Sequence, residues 1–313
     1  MFGRIVGVAE RAFVHLSFVR DSGWRAEEMN VARKGLGKTE GGEPFDLDDR
    51  DLARHLYVLG ATGSGKTTFI LGLLAKDLAA GRSVIVLDLR GDLALGALGL
   101  CAALGVDPAR VRSLDLRSAG QVWGFDPLAG AGEPFVRALH LLDVVRGEAE
   151  SWGVQLEETL RNALLVLSEA GEPVTRIEEF LHDSRFGESC LARVADPALR
   201  AYWERFGEMG EEKRTVRCTP VTNKLAALLA VPRLRRVLEG RPDLGLGDLM
   251  GTPGSVLTIS LAVDELHRSS RMLGSLLVSA IAREAMARVD VPEADRKPVR
   301  LYVDEFENMA SEA

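Results

Sequence analysis

Between His55 and Leu74 the chain reads HLYVLGATGSGKTTFILGLL: a short apolar run, a glycine-rich turn, then apolar residues at helical spacing. Leu56–Leu59 fits a short strand. Thr67–Ala80 carries apolar positions three and four apart, and Gly81 is placed to close a helix there. Ser83–Leu89 (SVIVLDL) predicts a strand buried on both faces, and Val111–Leu116 (VRSLDL) predicts a third strand.

From about residue 129 to 250 the pattern changes to helical periodicity. It predicts helices over Phe135–Arg146, Glu157–Glu169, Ile177–His182, Pro197–Phe206, Val221–Leu229 and Pro232–Leu238. Strand patterns return at Ser255–Leu261 and Val299–Val303, with an amphipathic helix over Leu273–Arg288 between them. Strands alternating with helices predict an α/β fold with a largely parallel sheet. The chain divides into an amino-terminal segment and linker (1–50), a first core part (51–128), a helical insertion (129–250) and a second core part (251–313). Arg33–Pro44 (RKGLGKTEGGEP) reads as a loop or linker, and no internal repeat is present.

Composition narrows the picture. The chain has 313 residues and a net charge of −7, which excludes a basic nucleic-acid arm. Three widely spaced cysteines, Cys101, Cys190 and Cys218, argue for buried thiols rather than a disulfide framework or zinc site. The early apolar stretch Ile5–Val19 is interrupted by Glu10, Arg11 and His15 and is too short to span a bilayer. With no signal peptide or membrane segment read in the chain, the expected location is cytoplasmic.

Gly60-Ala61-Thr62-Gly63-Ser64-Gly65-Lys66-Thr67 fits G-x-x-x-x-G-K-[ST] in full, after a strand and at a helix start. The glycines let successive backbone N–H groups wrap phosphate oxygens, and the helix start adds its positive end. Lys66 can reach the β- and γ-phosphates, the Thr67 hydroxyl can ligate Mg²⁺, and Thr68 completes the cradle. ATP and Mg²⁺ are therefore the expected cofactors.

A nucleotide site of this kind also needs a carboxylate at the end of a buried strand. Val299–Val303 ends in Asp304 and Glu305. Asp304 is the candidate to hold Mg²⁺, and Glu305 the candidate to orient and deprotonate an attacking water. Asp88, ending Ser83–Leu89, is the competing carboxylate and ranks second, as part of a polar network.

Taken in order, ARHLYVLGATGSGKTT, SVIVLDLRGDL and RLYVDEFENMA resemble the motor domains of the HerA/FtsK superfamily, nearest the conjugation and type IV secretion coupling ATPases and HerA-type ATPases. GFDPLAG (Gly124–Gly130) resembles the family's Asn-Pro-Leu turn with Asp126 in place of Asn. AYWERF (Ala201–Phe206) and VTNKLAALLAVPRLRRVL (Val221–Leu238) resemble its helical insertion, and GSVLTISLAVDEL (Gly254–Leu266) its second core half. The resemblance implies a RecA-like P-loop NTPase core interrupted by an all-helical insertion. It implies a hexameric ring that moves double-stranded DNA, with a secretion or nuclease partner. It also implies an arginine acting on the neighbouring subunit's site, for which Arg214, Arg217, Arg268 and Arg271 are candidates.

Family members continue beyond the Asp-Glu pair into a strand with a polar sensor residue, which lies between the cradle strand and the Asp-Glu strand. This chain ends eight residues after Glu305, so the expectation is a carboxy-terminally truncated fragment. Composition does not mark a DNA surface. The densest basic run, Arg233, Arg235, Arg236 and Arg241, reads first as a solvated helix face, and Trp203 and Phe206 as core. Beside the DNA translocase stand two alternatives: an ATPase acting on protein in secretion or assembly, and a nucleotide-binding module without turnover.

Overall fold

The computed structural model describes residues 3–6, 14–16, 36–52, 55–61, 63–118, 123–241 and 243–306. The chain opens with β1 (Gly3–Val6), β2 (Val14–Leu16), β3 (Gly37–Lys38), β4 (Pro44–Phe45) and α1 (Asp49–Leu52). The first core part follows with β5 (Tyr57–Leu59), α2 (Lys66–Ala79), β6 (Ser83–Asp88), α3 (Asp92–Leu104) and β7 (Val111–Asp115). Eight helices come next: α4 (Pro134–Gly147), α5 (Val154–Ala170), α6 (Ile177–His182), α7 (Ser184–Leu191), α8 (Pro197–Gly207), α9 (Glu211–Leu229), α10 (Pro232–Leu238) and α11 (Leu246–Gly251). The chain then returns to the sheet with β8 (Val256–Ser260), α12 (Val263–Leu266), α13 (Arg268–Met286) and β9 (Val299–Val303).

β7, β8, β6 and β9 form, in that order, a parallel four-stranded sheet. All six residues of β6 are buried, which is why its sequence is an unbroken apolar run. Successive side chains point to opposite faces. Val84 and Val86 pack with Leu71, Leu74 and Leu78 of α2 and with Leu93 and Ala97 of α3. Ile85 and Leu87 face the other way, with Leu114, Leu257 and Ile259, into the core shared with α4–α11 and α13. The sheet is thus covered on both sides, as a parallel sheet requires, and the α/β reading holds.

The helical layer has its own aromatic knot. Trp203 and Phe206 are buried, as expected, and Trp203 meets the Phe180 ring edge-on at 4.7 Å between centroids. The Gly124–Gly130 turn joins this layer to the sheet: the Phe125 N–H donates to the Val237 carbonyl and the Leu244 N–H to the Gly124 carbonyl, both at 2.7 Å. A Cβ at Gly124 would lie 2.1 Å from the Arg241 nitrogen, so only glycine fits there.

Two expectations need correction. The strand before the cradle, β5, does not join the parallel sheet. It pairs antiparallel with β1 in a three-stranded sheet ordered β2-β1-β5, and reaches the core through α2, where Val58 packs by Phe69 and Leu73. β9 has β6 on one side, and no strand among the described residues pairs with its other edge. The linker read over Arg33–Pro44 is also partly ordered structure. From Leu36 onward it folds into the β3-β4 ribbon, closed by Thr39 N–H to the Glu43 carbonyl at 2.8 Å, with Gly42 supplying a φ of 85° in the turn. Arg33, Lys34 and Gly35 lie outside the described residues.

Candidate functional site

The turn from Gly60 to Gly65 connects β5 to α2 and closes tightly on itself. Gly63 and Gly65 have φ values of 75° and 92°, which glycine adopts without strain. A Cβ at Gly60 would sit 2.3 Å from Ser64 Oγ. The Ser64 N–H donates to the Ala61 carbonyl at 3.1 Å, and the Phe69 N–H to the Gly65 carbonyl at 2.9 Å. Thr62 lies outside the described residues.

Among the bonds between described residues, Phe69 is the first of α2 whose N–H finds a carbonyl one turn back. No side chain caps the helix, and its first turn holds no acidic residue. The N–H groups of Lys66, Thr67 and Thr68 therefore stand at the positive end of the helix without intrahelical acceptors. Ser64 Oγ is buried and has no hydrogen-bond partner. The Lys66 ammonium donates to the Gly60 carbonyl at 2.6 Å, folding across the mouth of the turn. Uncapped N–H groups, an unpartnered hydroxyl and an ammonium in one concave turn match the needs of a phosphate chain.

The sheet brings carboxylates to the same end. The Asp304 N–H donates to the Leu87 carbonyl at 3.0 Å, so the residue follows β9 alongside the end of β6. Burial raises the pKa of Asp304, the charge of neighbouring Asp88 raises it further, and the Lys66 ammonium opposes both. Asp88 is only 1% exposed and spends both oxygens on backbone N–H groups, Arg90 at 2.8 Å and Ala94 at 3.0 Å. That use ties the end of β6 to the start of α3. Glu305 adopts a φ of 53°, unusual for a residue with a side chain. Its N–H donates to Asp304 Oδ1 at 3.0 Å, and its Oε1 lies 3.0 Å from Arg90 Nε.

Lys66, Asp88, Asp304 and Glu305 thus gather at the carboxyl end of the sheet, together with Arg90, a residue that sequence reasoning passed over. Its signal was available: a basic residue directly follows the apolar strand and precedes Gly91, whose φ is 105°. The four arginine candidates fall into two groups. Arg268 pairs with Glu148 at 3.0 Å and Arg217 with Glu158 at 3.2 Å, inside the chain. Arg214 and Arg271 have no ion pair among the described residues.

Among the described residues no group of three or more His, Cys, Asp or Glu could hold a metal ion alone. A Mg²⁺ site of the kind expected draws instead on one or two carboxylates plus substrate phosphates. A cation would also relieve the repulsion between Asp88 and Asp304. A cavity of about 210 Å³, lined by Val145, Lys224, Arg268 and Met272 among others, contains none of the cradle residues. All three cysteines are buried and unpaired, and no helix among the described residues is long and apolar enough to cross a membrane.

The family profile "Helicase HerA, central domain" matches residues 36–96, the stretch holding β5, the cradle, α2 and β6. Among solved structures, the unbound bacterial conjugative coupling protein TrwBdeltaN70 superposes with a TM-score of 0.53 at 19% identity, covering 81% of this chain and 55% of that one. The plasmid coupling protein TrwB in complex with ADP and Mg²⁺ gives a TM-score of 0.51 at 18% identity, covering 81% of this chain and 57% of that one. The chain therefore spans a little over half the length of these coupling proteins. No curated protein matches by sequence. The resemblance read from the sequence stands as a similarity: residues 36–96 are similar to the HerA central domain, and the fold is shared with a conjugative coupling protein.

Proposed function

We propose that this chain is the ATP-hydrolysing core of a motor that moves double-stranded DNA, working as a hexameric ring. The observation that carries the reading is the meeting of an uncapped helix start bearing Lys66 with the Asp304-Glu305 pair at one end of the sheet. The HerA match over residues 36–96, which include Lys66, and the ADP and Mg²⁺ held by TrwB support the cofactors, ATP and Mg²⁺.

In this reading Gly60 to Thr68 receive the phosphates, with Lys66 releasing the Gly60 carbonyl to reach the terminal ones. Thr67 and Asp304 would hold Mg²⁺, which neutralises charge on the phosphate oxygens when bound. Glu305 accepts the proton of the attacking water. Residues 129–250 are read as the helical insertion of that core. Arg214 and Arg271, without ion pairs among the described residues, are the better candidates for an arginine acting in trans.

The test is ATP hydrolysis by the full-length protein with and without linear duplex DNA, over a salt series. The reading requires a rate that rises with duplex at low salt and loses that rise steeply as salt increases. A rate indifferent to DNA at low salt overturns the DNA assignment. Stimulation by a protein instead points to a secretion or assembly ATPase. ATP-dependent stabilisation without product points to a binding module.

A further inference from the structure

We infer that Arg90 is a latch on Glu305, and that a chain of charged groups ties this latch to the helical layer. The inference rests on the reading of Glu305 as the proton acceptor. Arg90 Nε lies 3.0 Å from Glu305 Oε1, so one oxygen of the carboxylate read as the proton acceptor is engaged by a guanidinium, which holds the group's orientation and lowers its basicity. The Arg90 side chain is 66% exposed, which leaves it free to swing away, whereas Glu305 is 27% exposed. Glu305 also holds its left-handed backbone without glycine, a strained arrangement of the kind that clusters at switching sites.

The latch is held from behind. Arg117, just past β7, donates to the Arg90 backbone carbonyl through Nη1 and to Asp264 through Nη2, while its Nε faces Glu265 at 3.8 Å. Glu265 in turn accepts from Arg233 of α10 at 2.7 Å, and Arg233 donates to the Leu116 carbonyl at 3.1 Å. Asp264 and Glu265 sit in α12, between Ala262 and His267, whose φ values of 50° and 44° are also positive. Three of the four positive-φ non-glycine residues among the described residues therefore lie past the carboxyl ends of β8 and β9. The path Glu305–Arg90–Arg117–Glu265–Arg233 crosses from the catalytic edge of the sheet to the helical layer. A shift of α10 would act on Arg117 and through it on the Arg90 backbone. Arg90 and Arg233 are positioning residues in this scheme: neither is asked to touch ATP.

The experiment is steady-state ATP hydrolysis by the full-length protein, wild type against Arg90→Ala, Arg90→Lys, Arg233→Ala and the Arg90→Ala/Arg233→Ala pair, with Glu305→Gln as the reference. An exposed ion pair of this kind holds back turnover by about two- to fivefold. Arg90→Ala should raise kcat by that factor with KM for ATP unchanged, and Arg90→Lys should restore the wild-type rate. Arg233→Ala should move kcat in the same direction by less, and the double variant should be no faster than Arg90→Ala alone. An Arg90→Ala rate equal to wild type, zero included, overturns the latch. A fall in kcat also overturns it and would place Arg90 in the chemistry. Additive rises overturn the tie to α10. Failure of the underlying reading is distinct: Glu305→Gln would then hydrolyse ATP as fast as wild type.

Discussion

Each strand beside β6 makes five parallel residue pairs with it, yet β8 is buried along its whole length while Leu301 of β9 is 42% exposed. β8 lies between two strands and under two layers of helix. β9 has one strand beside it among the described residues, and its far edge is unpaired there. The contrast separates two tasks within one sheet. The β8 side holds the fold together, and the β9 side delivers Asp304, Glu305 and the Arg90 contact to the cradle. Charged groups are tolerated where packing is thin and solvent is near, and would be costly unpaired in the β8 interior.

The contrast breaks most visibly in the core. Leu257→Ala in β8 should cost about 2–5 kcal/mol in urea unfolding, because it empties volume that neighbours cannot fill. Lys66→Ala should weaken ATP binding roughly 10- to 100-fold, the loss of a charge-assisted contact, with unfolding stability nearly unchanged; isothermal titration measures the first.

Asp126 sharpens the picture in the helical layer. Burial pushes its carboxyl up to about 6, against the donation it receives from the Leu128 N–H at 3.0 Å. Since the folded pKa is the higher one, the native state binds more protons than the unfolded state between about pH 4 and 6, and stability falls as pH rises through that window. Asp126→Asn keeps the acceptor and removes the charge. It should stabilise the fold by about 1–3 kcal/mol at pH 7 and by progressively less toward pH 4, read as the difference between urea midpoints. An advantage independent of pH would show that charge burial is not the cause. The smallest effect belongs to the open edge: Leu301→Ala should shift stability by less than about 1 kcal/mol, in contrast to Leu257→Ala. Equal losses at the two positions would erase the distinction between the two sides.

The elements that were legible are those whose pattern has one cause. β6 reads as a strand because both its faces are buried, and α2 because only one of its faces is. α3 was hidden: it is apolar almost all round, so no one-sided helical period marks it. α9 begins ten residues before the helix expected at Val221, because Glu211–Pro220 is polar and ends in proline. Pro220 sits inside the helix, preceded by Thr215 and Thr219, whose hydroxyls donate to the Glu211 and Thr215 carbonyls one turn back. The placement of β5 against β1 could not be read, since pairing partners distant in sequence leave no periodic trace. In the site, the cradle and the Asp-Glu pair each carry a local pattern. The Arg90–Glu305 contact joins residues 215 positions apart and becomes visible only when β6 and β9 are aligned.

The most direct test of the central claim compares ATP binding and ATP hydrolysis in wild type and Glu305→Gln. With Glu305 as the general base, binding is retained and turnover falls by about 10²–10⁴-fold, the usual contribution of such a group. Hydrolysis at the wild-type rate in Glu305→Gln, with binding intact, would contradict it and move the base away from the end of β9.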